Sequence, residues 1–214
     1  MINIKKFTFN PFQVNTYILY DETKECIIID PGCADSREQR QFNTFIESEE
    51  LIPVRLLNTH SHIDHIAGNV FMSRKYGLKL EAHRDGRHFI EHSKENAFYY
   101  GFENFETILP EIHIQEGDTI RWGKSELQVI DTPGHAIGSV CFISHAQKFV
   151  IVGDVLFYQS IGRTDLPTGD YDLLIQNIRS KLLALPHEYT VYSGHGPETT
   201  IGFEAYANPF LADL

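Results

Sequence analysis

The stretch Thr59-His60-Ser61-His62-Ile63-Asp64-His65 places His60, His62, Asp64 and His65 within six positions. Imidazole is the commonest neutral ligand for zinc and iron, and a carboxylate adds charge and a harder donor. So many polar rings in one turn compete for hydrogen bonds, whereas a cation satisfies them all at once. A solvated His-rich turn is the alternative, and the rest of the chain argues against it. Three more positions share one setting, a glycine-containing turn directly after an apolar run. His135 lies in Asp131-Thr132-Pro133-Gly134-His135, after a run ending at Ile130. Asp154 follows Val150-Ile151-Val152-Gly153, where a charge at the end of an apolar strand needs a partner. His195 sits in Ser193-Gly194-His195-Gly196-Pro197. Glycines beside these positions permit tight turns and close approach to a site. Five histidines and two aspartates can hold two metal ions, with one carboxylate bridging them.

The chemistry that such a set supports is hydrolysis. Water on a metal of this kind ionises near pH 7, which gives a bridging hydroxide at neutral pH while the metals polarise a substrate carbonyl. Asp64, as ligand and hydrogen-bond acceptor, is suited to orienting that nucleophile. Arg163, in a Gly-flanked loop nine residues past Asp154, can meet a substrate carboxylate with bidentate geometry. It can equally close on Asp165 or Asp170 as an ion pair. His88-Phe89-Ile90-Glu91-His92 fits H-x-x-E-H, but its charged surroundings read as a solvated helix. With Phe98, Tyr99, Tyr100 and Phe102 that helix is expected either to wall the site with aromatics or to pack them in the core. His83, His113, His145 and His187 show no partners in the sequence.

Positioning these residues requires strands that end where the ligands begin. Strands are predicted at Ile2 to Phe9, Asn15 to Tyr20, Cys26 to Ile29, Val54 to Leu57 and Lys79 to Ala82. In the second half they fall at Ile112 to Ile114, Ser125 to Ile130, Ser139 to Ser144, Phe149 to Val152 and Thr190 to Tyr192. Helical spacing covers Ser36 to Glu50, Asp64 to Tyr76 and Tyr171 to Leu183. Asp30-Pro31-Gly32 reads as turn chemistry. Strands clustered before each helix suggest sheets packed together with helices outside, in one domain over residues 1–214.

Bulk properties narrow the class. Apolar content of 42% supplies a real core, and a formal net charge of −11 argues against a nucleic-acid partner. No apolar stretch is long enough to span a bilayer, and no apolar region follows the N-terminal lysines. Cys26, Cys33 and Cys141 form neither a disulfide framework nor a C-x-x-C site. The expectation is a cytoplasmic protein without membrane partners. The sequence leaves the oligomeric state open, a homo-oligomer included.

The string THSHIDH followed by PGH, GD and GHG resembles the metallo-β-lactamase fold superfamily, over Asp30 to His195. That resemblance implies an αββα sandwich, mixed α and β, with a metal site at one edge. It also implies that His60, His62 and His135 bind one metal, Asp64, His65 and His195 a second, and that Asp154 bridges them. Two divalent ions are expected, zinc first, with iron or manganese equally suited to the donors. Members that hydrolyse β-lactams usually carry cysteine where this chain has Asp154. RNA-processing members would show a basic arm, and flavodiiron members an added flavin domain.

Gly153-Asp154-Val155-Leu156-Phe157, Ile161-Gly162-Arg163-Thr164-Asp165 and Asn208-Pro209-Phe210 look most like the short, bacterial-type relatives of the hydroxyacylglutathione hydrolases (glyoxalase II). Long members hold glutathione through a cation and a tyrosine after the bridging aspartate, plus added C-terminal helices. Here Arg163 matches the cation, Asp165 falls at the tyrosine, and the chain ends before such helices. The implied activity is hydrolysis of a small-molecule thioester such as S-D-lactoylglutathione, with Asp64 and Asp154 catalytic and the carrier left open. Persulfide dioxygenases, which share the frame but use one iron, and lactonases are the alternatives.

Overall fold

The computed structural model describes residues 1–103 and 105–211. The first half builds one sheet from β1 (Asn3–Phe9), β2 (Val14–Tyr20), β3 (Glu25–Ile29), β4 (Ile52–Leu57), β5 (Leu80–His83) and β6 (Ile112–Ile114), in that spatial order. β1, β2 and β3 are antiparallel, and β3 through β6 run parallel. The connections carry α1 (Ser36–Ser48), α2 (Asn69–Tyr76) and α3 (Arg87–Asn96).

The second half repeats the plan with β7 (Thr119–Trp122), β8 (Ser125–Asp131), β9 (Val140–Ser144), β10 (Phe149–Gly153), β13 (Thr190–Ser193) and β14 (Thr199–Thr200). A small hairpin, β11 (Leu156–Phe157) with β12 (Ser160–Ile161), stands apart from both sheets. The spatial order of the second sheet is β14-β13-β10-β9-β8-β7. α4 (Tyr171–Asn177) and α5 (Ile201–Ala207) complete this half.

Strand alternation dictates the layering, because successive side chains face opposite sides of a sheet. Leu19, Ile27, Ile29 and Leu57 point inward and meet Leu127, Val129, Phe142 and Ile151 of the other sheet. Their neighbours Ile18, Ile28 and Leu56 point outward, against Phe42 of α1, Met72 of α2 and Ile90 of α3. On the far side Cys141, Ile143, Val150 and Val152 receive Leu174, Ile178, Leu182 and Ile201. The result is the expected αββα sandwich. Both faces of the central strands are buried, so they read as unbroken apolar runs rather than alternating ones.

Two elements differ from expectation. The helix expected from Asp64 starts at Asn69, because residues 64–68 form turns that aim side chains at the site. The helix expected over Tyr171 to Leu183 is α-helical only to Asn177 and widens into a π turn over Ile178–Leu182, keeping Leu174, Ile178 and Leu182 on the sheet. β7 and α5 have no counterpart in the sequence reading. All three cysteines are buried and free. No helix among the described residues is long and apolar enough to cross a membrane.

Parallel pairing makes the site a consequence of the topology. β3 and β4 are parallel, as are β10 and β13, and β8 shares the direction of β10 through the antiparallel β9. The C-terminal ends of all five strands therefore lie on the same side of their sheets. The two sheets are stitched at that edge by a bridge between Val14 and His195, by Asn15 N donating to Gly194 O (2.7 Å), and by Tyr17 Oη donating to Ser193 O (2.7 Å).

Candidate metal centre

Each strand end delivers one or more polar side chains to this edge. The loop after β4 brings His60, His62, Asp64 and His65; those after β8, β10 and β13 bring His135, Asp154 and His195. His60 Nε2 lies 3.2 Å from His62 Nδ1, which lies 2.9 Å from His135 Nε2. Three imidazole nitrogens thus converge in one nest. Ligand nitrogens about 2.0–2.1 Å from a tetrahedral zinc would stand about 3.3 Å apart, so the spacing suits a small cation.

A second nest forms beside it. His195 Nε2 is 3.2 Å from Asp64 Oδ2, and His65 Nε2 is 3.6 Å from the same oxygen. The Asp154 carboxylate reaches both nests: Oδ2 is 3.7 Å from His135 Nε2 and 3.4 Å from His195 Nε2, while Oδ1 is 3.3 Å from His65 Nε2. Yet His65 Nε2 and Asp154 Oδ1 are buried and neither makes a well-formed hydrogen bond. Buried polar atoms left in this way cost stability unless something satisfies them, and a cation between them would. The donor set therefore fits two divalent ions, as clusters around His60 and around His65 and His195 among the described residues also indicate. The H-x-x-E-H stretch forms no such cluster.

The electrostatics divide the nests. Burial, then the neighbouring imidazoles, holds His60 well below the ordinary histidine range, and burial takes His62 down to about 4. Burial also lowers His135. These three are neutral at pH 7 with lone pairs available. In the second nest burial again opposes charge, but for His65 it is outweighed by Asp154, Asp64 and Asp30, which raise it well above the usual value. His195 is lifted to about 9 against its burial by hydrogen bonds to Asp154 and Asp64. Burial pushes Asp64 and Asp154 upward, yet the charge on His65 and the His195 hydrogen bonds leave both lowered. Without metal, protons on His65 and His195 balance the carboxylates; a metal must displace them.

Outer partners fix the ring orientations. His135 Nδ1 donates to Arg163 O (2.8 Å) and His195 Nδ1 to Phe12 O (3.0 Å). His65 Nδ1 donates to Asp30 Oδ2 (2.9 Å), which also accepts from Thr59 Oγ1 (2.6 Å), while Asp30 Oδ1 accepts from Thr59 N (2.7 Å). In the sequence Asp30, within Asp30-Pro31-Gly32, reads as turn chemistry. Its setting, a carboxylate closing the apolar run Cys26-Ile27-Ile28-Ile29, is the same signal that marks Asp154.

Arg163 is both at the site and paired. Its guanidinium closes on Asp165, Nε to Oδ1 at 2.7 Å and Nη2 to Oδ2 at 2.6 Å, while the residue lines the cavity above the nests. The helix α3 does wall that cavity, through His88, Phe89 and His92, joined by Tyr100. Phe98 and Tyr99 instead face solvent, and Phe102 is buried. Glu91 pairs with Arg87 (2.7 Å), and His92 Nδ1 donates to His88 O (2.9 Å). His83 and His145 do have partners: His83 Nε2 is 3.6 Å from Asp131 Oδ2, and His145 bridges Tyr189 Oη (3.0 Å) and Gln128 Oε1 (2.8 Å).

A sandwich with a His/Asp cluster at the strand ends defines a metallo-hydrolase class. The family model "Metallo-beta-lactamase superfamily" matches residues 9–195, and the chain belongs to that superfamily. It is 36% identical over 212 residues to the hydroxyacylglutathione hydrolase GloC of Haemophilus influenzae, covering 98% of both chains. Among solved structures it is similar to the BLEG-1 B3 metallo-beta-lactamase, with a TM-score of 0.90, 36% identity, and coverage of 99% of this chain and 100% of that one. It is also similar to TTHA1623 in a di-iron-bound form, with a TM-score of 0.85, 34% identity, and coverage of 97% and 100%.

Proposed function

We propose that this metallo-hydrolase is a thioester hydrolase, with residues 1–214 as one catalytic domain acting on a small-molecule thioester in the cytoplasm. The observation that carries the reading is the Asp154 carboxylate, which faces His135 on one side and His65 and His195 on the other. The 36% identity to GloC over nearly the whole of both chains supports thioesters as the substrate class.

Divalent ions in the two nests, zinc or iron, would supply Lewis acidity, acidifying water and polarising a carbonyl. His60, His62 and His135 would hold one ion, Asp64, His65 and His195 the other, with Asp154 shared. Asp64 Oδ2, 3.2 Å from His195 Nε2, also serves as the acceptor that aligns the attacking water. Phe89, edge-on to His62 at 4.9 Å between centroids, packs against that ring on the cavity side. A thiolate leaves readily, so no side chain need protonate it.

The identity to a protein described as a B3 metallo-beta-lactamase favours a second reading, β-lactam hydrolysis, despite Asp154 at the usual cysteine position. The test is turnover of S-D-lactoylglutathione, followed as loss of thioester absorbance, beside a chromogenic cephalosporin. The expected outcome is thioester turnover by the metal-loaded protein, lost in Asp154→Ala. Cephalosporin turnover without thioester turnover would move the assignment to β-lactams.

A further inference from the structure

The cavity above the two nests holds about 560 Å³, within the range of small-molecule sites. The metal-nest residues form its floor. Most of its remaining surface is apolar, from Ile63, Phe89, Leu166 and Pro167 with the half-exposed Phe12 and Tyr100. The neutral polar side chains of Ser61, Ser93 and Asn96 and the imidazoles of His88 and His92 interrupt it. These apolar surfaces are braced rather than loose. Phe12 stacks on the buried Phe102 (5.9 Å, 5° between planes) and meets Tyr100 edge-on (6.0 Å).

Charge is scarce and self-cancelling. Among the described cavity-lining residues Arg163 is the sole lysine or arginine, and its fork is occupied by Asp165; the other basic groups above the nests are the imidazoles of His88 and His92. An exposed pair of this kind is weak and can open, but opening leaves the Asp165 carboxylate two residues away. Glu95, also on the lining, adds a further negative group. Glutathione carries two carboxylates and one ammonium, so its net charge is negative. At this mouth it meets no lysine or arginine free of a carboxylate partner.

We infer that the site takes an uncharged thioester with apolar groups flanking the scissile bond, and that glutathione is a poor carrier; this rests on the thioester reading above. The reaction is balanced by water alone. The water oxygen bonds to the acyl carbon, the C–S bond breaks with its electron pair going to sulfur, and the products are a carboxylate, a thiol and a proton. The apolar wall binds the acyl chain and the thiol's alkyl part, whose burial favours the complex by an increment per methylene.

The experiment crosses two acyl groups with two carriers: lactoyl or hexanoyl, on glutathione or on N-acetylcysteamine, which is uncharged. kcat/KM is measured on protein of known metal content. The expected result is at least a tenfold advantage for hexanoyl-N-acetylcysteamine over S-lactoylglutathione, to which both acyl chain and carrier contribute. Phe89→Ala reduces the hexanoyl-over-lactoyl ratio several-fold. Asp165→Asn, by releasing the Arg163 charge, raises kcat/KM for the glutathione esters at least threefold. A second readout does not need turnover: the S-hexyl thioether of N-acetylcysteamine binds the protein more tightly than S-hexylglutathione by calorimetry. Preference for the glutathione carrier, in turnover or in binding, overturns the inference while leaving thioester hydrolysis intact. Failure of all four esters overturns the thioester reading itself, and the inference with it.

Discussion

Replacing Asp30 by asparagine separates the charge of an outer residue from its shape. Asp30 is buried and sits at φ 51°, a left-handed conformation that asparagine also tolerates, so the backbone has no reason to move. An asparagine that keeps its oxygen toward Thr59 N must turn its NH₂ toward Thr59 Oγ1 and His65 Nδ1, at the 2.6 Å and 2.9 Å contacts of the carboxylate. His65 Nδ1–H then faces a donor. Leaving that bond unmade costs about 2–3 kcal/mol, since the lost acceptor is charged. In a chain of this size that is a Tm lower by roughly 5–10 °C. With metal absent His65 already carries a proton on Nε2, so the ring escapes by shedding the Nδ1 proton, which leaves it neutral and protonated at Nε2, the nitrogen that faces Asp64 and Asp154. A protonated Nε2 has no lone pair for a metal, so metal affinity in that nest falls about 10–100-fold. Differential scanning calorimetry of apoprotein, with metal titration of the same samples, reads both effects. The His60, His62 and His135 nest should keep its ion. An Asp30→Asn protein that binds two ions with unchanged affinity and melts with the native protein would refute this reasoning.

Gly194→Ala places a Cβ against the Asp154 carboxylate and within 2.8 Å of His65 Cε1; hydrolysis should fall more than about 100-fold through misplacement of both groups, read as kcat/KM beside metal content. Asp21 accepts from Thr23 N (2.9 Å), Thr23 Oγ1 (2.6 Å), Lys124 N (2.7 Å) and Ser125 Oγ (2.7 Å), tying the β2–β3 turn to the β7–β8 turn. Burial pushes its carboxyl up, but these bonds outweigh it and hold it at about 2, below the unfolded value near 4. The carboxylate therefore contributes stability above about pH 4, which is lost as pH falls towards 2. Discounted for its place at the solvent edge, this is about 1–2 kcal/mol, and Asp21→Asn should flatten that part of the urea-unfolding profile against pH. Burial raises all three thiols, Cys26 and Cys141 to about 12; a thiol reagent should label none in the native protein and three in urea.

How much of this was legible in the sequence depends on the kind of signal. The layers were, because Cys26–Ile29 and Phe149–Val152 are apolar throughout and demand cover on both faces. The seven residues brought together at the two nests were legible too, since four are crowded into Thr59–His65 and the other three each follow an apolar run in a glycine-containing turn. Short elements were not. α5 spans only Ile201–Ala207 and is held by contacts distant in sequence or hidden from periodicity, with Thr200 Oγ1 accepting from Phe203 N (3.1 Å) and buried Glu204 accepting from Gln159 N (3.0 Å). β7 is four residues whose pairing with β8 passes through the Gly123-Lys124 turn. Asp30 shows the converse: the pattern was present, but a local reading as Asp-Pro-Gly turn chemistry concealed a side chain whose partners, Thr59 and His65, lie 29 and 35 residues onward. Arg163 had two readings, substrate clamp and ion pair with Asp165, and only three-dimensional geometry joins its guanidinium to Asp165.

The most direct test of the paired nests is anomalous diffraction from crystals of the metal-loaded protein, collected at the absorption edges of zinc and iron. Two peaks about 3.5–4 Å apart, one against His60, His62 and His135, the other against Asp64, His65 and His195, with Asp154 between them, are the expected result. A single peak, or two peaks that leave Asp154 contacting neither, would contradict the shared-carboxylate centre on which the proposed hydrolysis depends.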